Sequence, residues 1–328
     1  MYIMMLLQIY KRVEHINQVR SPLPLRHSEA KEGAVHQNIM PYGRGSSGMN
    51  VAYTFNHYYL TPTLISIFSL LRARKDDRPI TLYLLVEEDL NEEQLSPAFK
   101  MAEYFGHCQI VIIYPRREFP RLFCADETSC APSEGIQVSF FRLYLPKVLP
   151  EQERCLYLDS DLVVRKDLST LYHTELDGVC FAGVTDRLCL EEDQLIRMRR
   201  MGIRDGRYIN TGVMVLDLSR LRQTGLDDRL LAHASETAYP YLDQDVINFV
   251  CPEEIRILPK RYNVFSMDTV QHYEVLRGVI PDDMLEEKDF LDPVIIHYIG
   301  PDKPWLAETP MKQYWTEVQN TYEEWRQA

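Results

Sequence analysis

The chain is 328 residues long, carries a net charge of −12 and is 45% apolar, enough to bury the core of one sizeable α/β domain or two small ones. That charge excludes general nucleic-acid affinity, because a phosphate backbone is held by clustered Lys and Arg. Seven scattered cysteines with no C-x-x-C pair exclude a disulfide framework or zinc knuckle and fit a reducing compartment.

Residues 1–10 are apolar but lack the basic segment and small-residue cleavage site of a secretory signal, and no run reaches the roughly 18 apolar residues of a membrane span. Residues 1–48 show no sustained period, contain Pro22, Pro24 and Pro41, and end in Gly-Arg-Gly-Ser-Ser-Gly, which predicts a flexible leader. From residue 49 short β-rich runs alternate with helical patterns. Strands are expected near 50–55, 80–86, 109–114, 154–158, 179–184, 212–217 and 294–298, giving an α/β fold with a mainly parallel sheet covered on both faces. Thr61 followed by Pro62 predicts a helix N-terminus, with Leu64, Ile67, Phe68 and Leu71 as its buried stripe. Ser96 and Pro97 repeat the cap-then-proline pattern, and Gly106 is suited to ending that helix. At the far end Trp315, Val318, Tyr322 and Trp325 recur at helical spacing, which predicts an amphipathic helix over 311–328 packed on the domain.

Asp-x-Asp occurs twice, as Asp159-Ser160-Asp161 and Asp243-Gln244-Asp245. The bare pattern is uninformative, but the first pair interrupts Leu156-Tyr157-Leu158 and Leu162-Val163-Val164, an otherwise buried strand. Two carboxylates two positions apart in an extended chain point the same way and repel. Burying them costs several kcal/mol unless a cation or hydrogen-bond donors compensate. The bland alternative is a solvated turn at a strand end. Further on, Val294-Ile295-Ile296-His297 reads as a buried strand delivering an imidazole at its end, followed by Gly300 and Lys303. A lone strand-end His is more often structural. With a Gly that permits close approach and a mobile cation, it also suits a metal-bridged diphosphate.

These residues resemble glycosyltransferase family 8, the group that includes glycogenin and bacterial lipopolysaccharide galactosyl- and glucosyltransferases. The similarity covers nearly all of 49–310. It rests on four motifs in order: Tyr157-Leu158-Asp159-Ser160-Asp161, Tyr208-Ile209-Asn210-Thr211-Gly212-Val213, Asp243-Gln244-Asp245, and the run from His297 through Gly300 and Lys303 to Trp305. The resemblance implies a single GT-A type domain for nucleotide-diphospho-sugar transfer, a UDP-sugar donor, manganese (with magnesium as the alternative) and retention at the anomeric carbon.

Carried over by position, it implies Asp159, Asp161 and His297 as metal ligands, Gly300 and Lys303 as diphosphate contacts, and Tyr59 as the ring stacked on uracil. Asn56 stands where relatives often carry an Asp that reads the base, and an amide can still donate and accept there. Arg142 matches a donor-contacting Arg. Asp186, Asn210, Asp243 and Gln244 match the residues that hold the donor sugar, with Gln244, Asp243 and Lys303 nearest the chemistry. The expected activity is transfer of glucose or galactose from UDP-glucose or UDP-galactose to a saccharide, lipopolysaccharide or glycoprotein acceptor. The expected setting is the cytoplasm, with peripheral contact at the inner face of the membrane left open. The rival readings are a metal-dependent hydrolase of nucleotide sugars or phosphoesters, a non-catalytic nucleotide-sugar binding protein, and a self-glucosylating priming enzyme. Residues 124–135, small and polar, are the expected mobile loop over the donor.

Overall fold

The structure is a computed structural model that describes residues 48–87, 89–115, 138–236, 239–268 and 270–328. The expected leader, apart from Gly48, and the expected loop over 124–135 lie outside the described residues.

Among the described residues ten strands form two sheets. They are β1 (Met49–Phe55), β2 (Ile80–Val86), β3 (Cys108–Ile113), β4 (Arg154–Leu158), β5 (Leu162–Val164), β6 (Phe181–Thr185), β7 (Ile209–Asp217), β8 (Ile255–Ile257), β9 (Val264–Phe265) and β10 (Ile295–His297). The large sheet has the order β3-β2-β1-β4-β7-β6-β8, and a small sheet has the order β5-β10-β9. Within the large sheet β7 alone runs antiparallel to its neighbours β4 and β6, so the sheet is mainly parallel. Strands buried on both faces need no alternation, which is why β1 and β2 read as near-continuous apolar runs.

Helices cover both faces. On one side lie α1 (Leu60–Ala73), α2 (Glu92–Phe105) and the C-terminal helix, packed with Val51, Leu82, Leu156 and Val213 from the strands. Leaving aside helices of four or five residues, between α2 and that helix the described residues form α3 (Glu192–Arg200), α4 (Leu218–Thr224), α5 (Leu226–Glu236) and α6 (Leu242–Val250), the last three contributing to the core on the opposite face. The C-terminal helix is therefore α7 (Lys312–Gln327); it buries Trp315, Val318 and Tyr322, and Phe68 of α1 meets Tyr322 and Trp325 with ring centroids 5.6 and 5.7 Å apart.

Two expected helix starts are corrected. A 3-10 turn over His57–Tyr59 runs directly into α1, so Asn56 caps the turn by accepting from Tyr58 N, and Thr61 and Pro62 lie inside the first helical turn. Likewise α2 begins at Glu92 with a reciprocal capping box between Asn91 and Gln94, leaving Pro97 inside the helix. The side chain that reaches the free N–H groups decides where a helix starts, and an Asx-type cap upstream prevailed in both places. Gly106 does end α2, at φ +68°.

Candidate active site

The site forms where the chain leaves the large sheet for the small one. β4 ends at Leu158, Asp159 and Asp161 occupy the corner, and β5 starts at Leu162 in the other sheet. β10 runs antiparallel to β5, pairing His297 with Leu162, and Tyr298 N donates to Asp161 O at 2.9 Å. This register brings residues 136 positions apart into contact: His297 Nε2 lies 3.1 Å from Asp161 Oδ1 and 3.7 Å from Asp159 Oδ2. One ligand atom from each of the three residues falls within 4.8 Å of the others.

The outer atom of each of these three side chains is held. Asp159 Oδ1 accepts from the Tyr157 hydroxyl at 2.9 Å and pairs with Arg142 Nη2 at 3.0 Å, so Oδ2 faces His297. Asp161 Oδ2 accepts from Lys303 Nζ, which also donates to Tyr298 O at 2.7 Å. His297 Nδ1 meets Asn263 Oδ1 at 3.0 Å. Gly212 supplies the floor. A Cβ there would sit 2.2 Å from His297 Cε1 and 2.6 Å from Asp159 Oδ2, so no side chain fits between those two residues. Two carboxylates, an imidazole and a side-chain-free floor are a donor set that fits a divalent cation of the manganese or magnesium kind.

Charge balance points the same way. Asp159, Asp161 and Asp243 face two permanent cations, Arg142 and Lys303, and all of them but the partly exposed Asp159 are buried. Burial alone raises the Asp161 carboxyl, but Lys303 and His297 outweigh it and hold it well below the usual range. Burial likewise opposes the charge on Arg142 and on Lys303, and their carboxylate partners more than restore it. Asp243 goes the other way, pushed up to about 6 by burial despite Arg142.

A second cluster adjoins the first. Asn210 Nδ2 donates to Asp186 Oδ2 at 2.9 Å and to Gln244 Oε1 at 3.2 Å, and Gln244 Nε2 donates to Asp186 Oδ2 at 3.3 Å. Asp243 Oδ2 accepts from Thr211 Oγ1 at 3.1 Å and pairs with Arg142 Nε at 3.0 Å, which ties this cluster to Asp159. β7 begins at Ile209, three residues earlier than expected, so Asn210 and Thr211 sit on the strand itself.

Beyond His297 on the chain, Gly300 adopts φ +82°, a conformation suited to glycine. The Tyr59 ring stands edge-on to Trp305 at 5.9 Å, and burial raises its phenol above the usual range, opposed by Lys303 and assisted by Asp161 and Asp159. Asn56 is buried at the end of β1. Asp159, Asp161, His297, Lys303 and Arg142 thus meet in one group, and Asp186, Asn210, Asp243 and Gln244 in its neighbour.

Four participants were not singled out from the sequence. Gly212, Thr211 and Tyr157 stood inside quoted motifs without a role. Asn263 precedes a two-residue strand and left no periodic signal. Asp245, alike to Asp243 in sequence, is wholly buried behind the site, paired with Arg197 at 2.8 Å and accepting from Tyr208 at 2.7 Å.

Among solved structures, the chain matches the galactosyltransferase LgtC in complex with donor and acceptor sugar analogs with a TM-score of 0.65 at 20% identity, covering 85% of this chain and 99% of that one. It matches the bifunctional glycosyltransferase WbbM with a TM-score of 0.68 at 19% identity, over 84% of this chain and 50% of that one. These likenesses establish the GT-A type fold. The lipopolysaccharide 1,2-glucosyltransferase of Escherichia coli K12 is 29% identical over 273 residues, 79% of this chain and 73% of that protein. The model of the family described as Glycosyl transferase family 8 matches residues 50–309, a span that contains every site residue named above, and the chain belongs to that family of glycosyltransferases.

Proposed function

We propose that the protein is a retaining hexosyltransferase that moves glucose or galactose from a UDP-sugar to a saccharide or glycolipid hydroxyl, with manganese held by Asp159, Asp161 and His297. The observation that carries this reading is the convergence of three ligand atoms within 4.8 Å beside Lys303 and over Gly212. A divalent cation held there supplies Lewis acidity to the departing diphosphate.

Lys303 meets the negative charge that grows on the diphosphate, so the leaving group needs no proton from the protein. Gly300 lets the diphosphate approach the backbone, Tyr59 and Asn56 receive the base, and Arg142 contacts the donor. Asp186, Asn210 and Asp243 hold sugar hydroxyls. Gln244 Oε1 already accepts from Asn210 Nδ2 and Thr211 N, each at 3.2 Å, which makes a neutral amide oxygen a poorer nucleophile still. That supports front-face attack, with Gln244 beside the oxocarbenium-like carbon and the departing phosphate oxygen taking the acceptor proton. Asp245 has no part in the displacement, since it is buried behind Tyr208.

The similarity to the Escherichia coli lipopolysaccharide 1,2-glucosyltransferase supports a lipopolysaccharide-type acceptor, and a cytoplasmic setting stays part of the proposal. Among the described residues no helix is long and apolar enough to cross a membrane.

The test is donor turnover with UDP-glucose and UDP-galactose, with and without Mn²⁺, beside a Mn²⁺ titration of Asp161→Ala in the presence of UDP. One donor should be turned over only with metal, and the variant should lose metal-dependent UDP affinity. Unchanged affinity in Asp161→Ala would remove the acidic pair from this role.

A further inference from the structure

His297 is gripped through both ring nitrogens, and the two grips differ in kind. Nε2 faces carboxylate oxygens of Asp161 and Asp159 at 3.1 and 3.7 Å, whereas Nδ1 faces a side-chain amide, Asn263 Oδ1, at 3.0 Å. Asn263 is completely buried.

The orientation of that amide follows from its neighbours. The Gly212 N–H can only donate, and it meets Asn210 Oδ1 at 3.0 Å. Because Asn210 presents oxygen there, the Asn263 atom 2.9 Å from the same oxygen is its nitrogen. The opposite end of Asn263, facing the imidazole, is therefore its oxygen, which can only accept. The ring must present N–H at Nδ1, and Nε2 is the nitrogen left to give its lone pair to a cation standing between it and Asp159 and Asp161.

The same amide reaches the neighbouring cluster. Asn210 uses its own nitrogen on Asp186 Oδ2 at 2.9 Å, so hydrogen bonds run unbroken from His297 through Asn263 and Asn210 to Asp186. The segment carrying Asn263 is pinned on both sides. Asn263 N donates to Lys260 O at 3.0 Å, Ser266 N donates to His297 O at 2.9 Å, and Lys260 pairs with Asp268 at 2.7 Å with both side chains fully buried.

We propose that Asn263 is a positioning residue that holds the Nδ1 proton of His297, presents Nε2 to the cation, and couples the metal ligands to the residues around the donor sugar. The inference rests on the metal site proposed above and assigns a role to a residue outside it.

Two substitutions separate this role from a merely structural one. Asn263→Leu removes the acceptor, while Asn263→Asp keeps an acceptor for Nδ1–H and loses the donor to Asn210. With UDP present, the Mn²⁺ dissociation constant of Asn263→Leu should rise about 10–100-fold, the range seen when such outer partners are removed. Asn263→Asp should stay near wild type for Mn²⁺ yet lose part of the extra affinity that a UDP-hexose shows over UDP. Wild-type Mn²⁺ affinity in Asn263→Leu, or equal weakening in both variants, overturns the proposal.

A metal-free readout keeps the two readings apart. In protein labelled at histidine nitrogen, His297 should show an exchange-protected Nδ1–H, assigned by its loss in His297→Gln, that disappears in Asn263→Leu and persists in Asn263→Asp. Absence of that proton in the wild type overturns the role of Asn263, whether or not the variants fold. Its presence in a wild type that binds no divalent cation overturns the metal site and, with it, the presentation of Nε2, while leaving the Asn263–His297 bond standing.

Discussion

Gly212 and His297 approach so closely that a single methyl group on Gly212 would lie 2.2 Å from His297 Cε1. The same methyl would lie 2.6 Å from Asp159 Oδ2, so the strand carrying Gly212 and the strand carrying His297 enclose one small space between them. Gly212→Ala should therefore expel the imidazole from its place. The expected outcome is a loss of at least about tenfold in Mn²⁺-dependent UDP affinity, with an overpacking cost of about 1–3 kcal/mol in thermal or denaturant unfolding. Wild-type metal affinity in this variant would mean that the three ligands do not close around one ion.

Lys303 is buried and donates to Asp161 and to Tyr298 O. Its charge meets one that grows as the sugar bond breaks, so Lys303→Ala should lower kcat by about 10²–10³-fold while changing KM for the donor much less. Steady-state kinetics with saturating Mn²⁺ checks this. A variant that lost free-UDP affinity and kept its kcat would contradict it.

Asp243 gives the protein a pH dependence whose sign can be worked out. Burial pushes its carboxyl up to about 6, opposed by Arg142 and assisted by Asp159. Between about pH 4 and pH 6 the folded protein then keeps a proton that the unfolded chain has released, so stability from this group falls as pH rises and the full penalty is present above pH 6. A shift of about two units corresponds to roughly 3 kcal/mol. Asp243→Asn cannot ionise. In the metal-free protein, its unfolding free energy relative to wild type should rise by about that amount between pH 4 and pH 7.5. A difference that stays flat with pH would refute the assignment.

Tyr208 stands between Gln244 and the buried Asp245. Its hydroxyl accepts from Gln244 Nε2 at 3.3 Å and donates to Asp245 Oδ1 at 2.7 Å. Tyr208→Phe should cost about 1–3 kcal/mol of stability by leaving buried groups unpaired. It should also loosen Gln244, so Gln244→Ala should lower kcat less in the Tyr208→Phe background than in wild type. Additive effects in that double-mutant cycle would show that the hydroxyl does not position the amide.

The legible part of this protein was the part written in local pattern. Apolar runs marked β1, β2 and β4, the stripe through Leu64, Ile67, Phe68 and Leu71 marked α1, and an interrupted strand marked Asp159 and Asp161. The missed elements were short. β8 and β9 have three and two residues, too few for any period to register, and β5, read as the far half of one interrupted strand, is a separate strand of the small sheet; β5 and β9 flank β10 and His297.

By itself the sequence determined which residues could bind a cation and in what order they occur, because carboxylates, an imidazole and strand-forming runs are properties of the residues themselves. Only the tertiary structure decided that His297 pairs opposite Leu162, that Asp243 faces the site while Asp245 turns behind it, and that Gly212 and Asn263 stand against His297 where it meets Asp159 and Asp161. Those relationships depend on strand register and on hydrogen-bond partners far apart in the chain. The side-chain period along each strand says nothing about which distant strand will lie beside it.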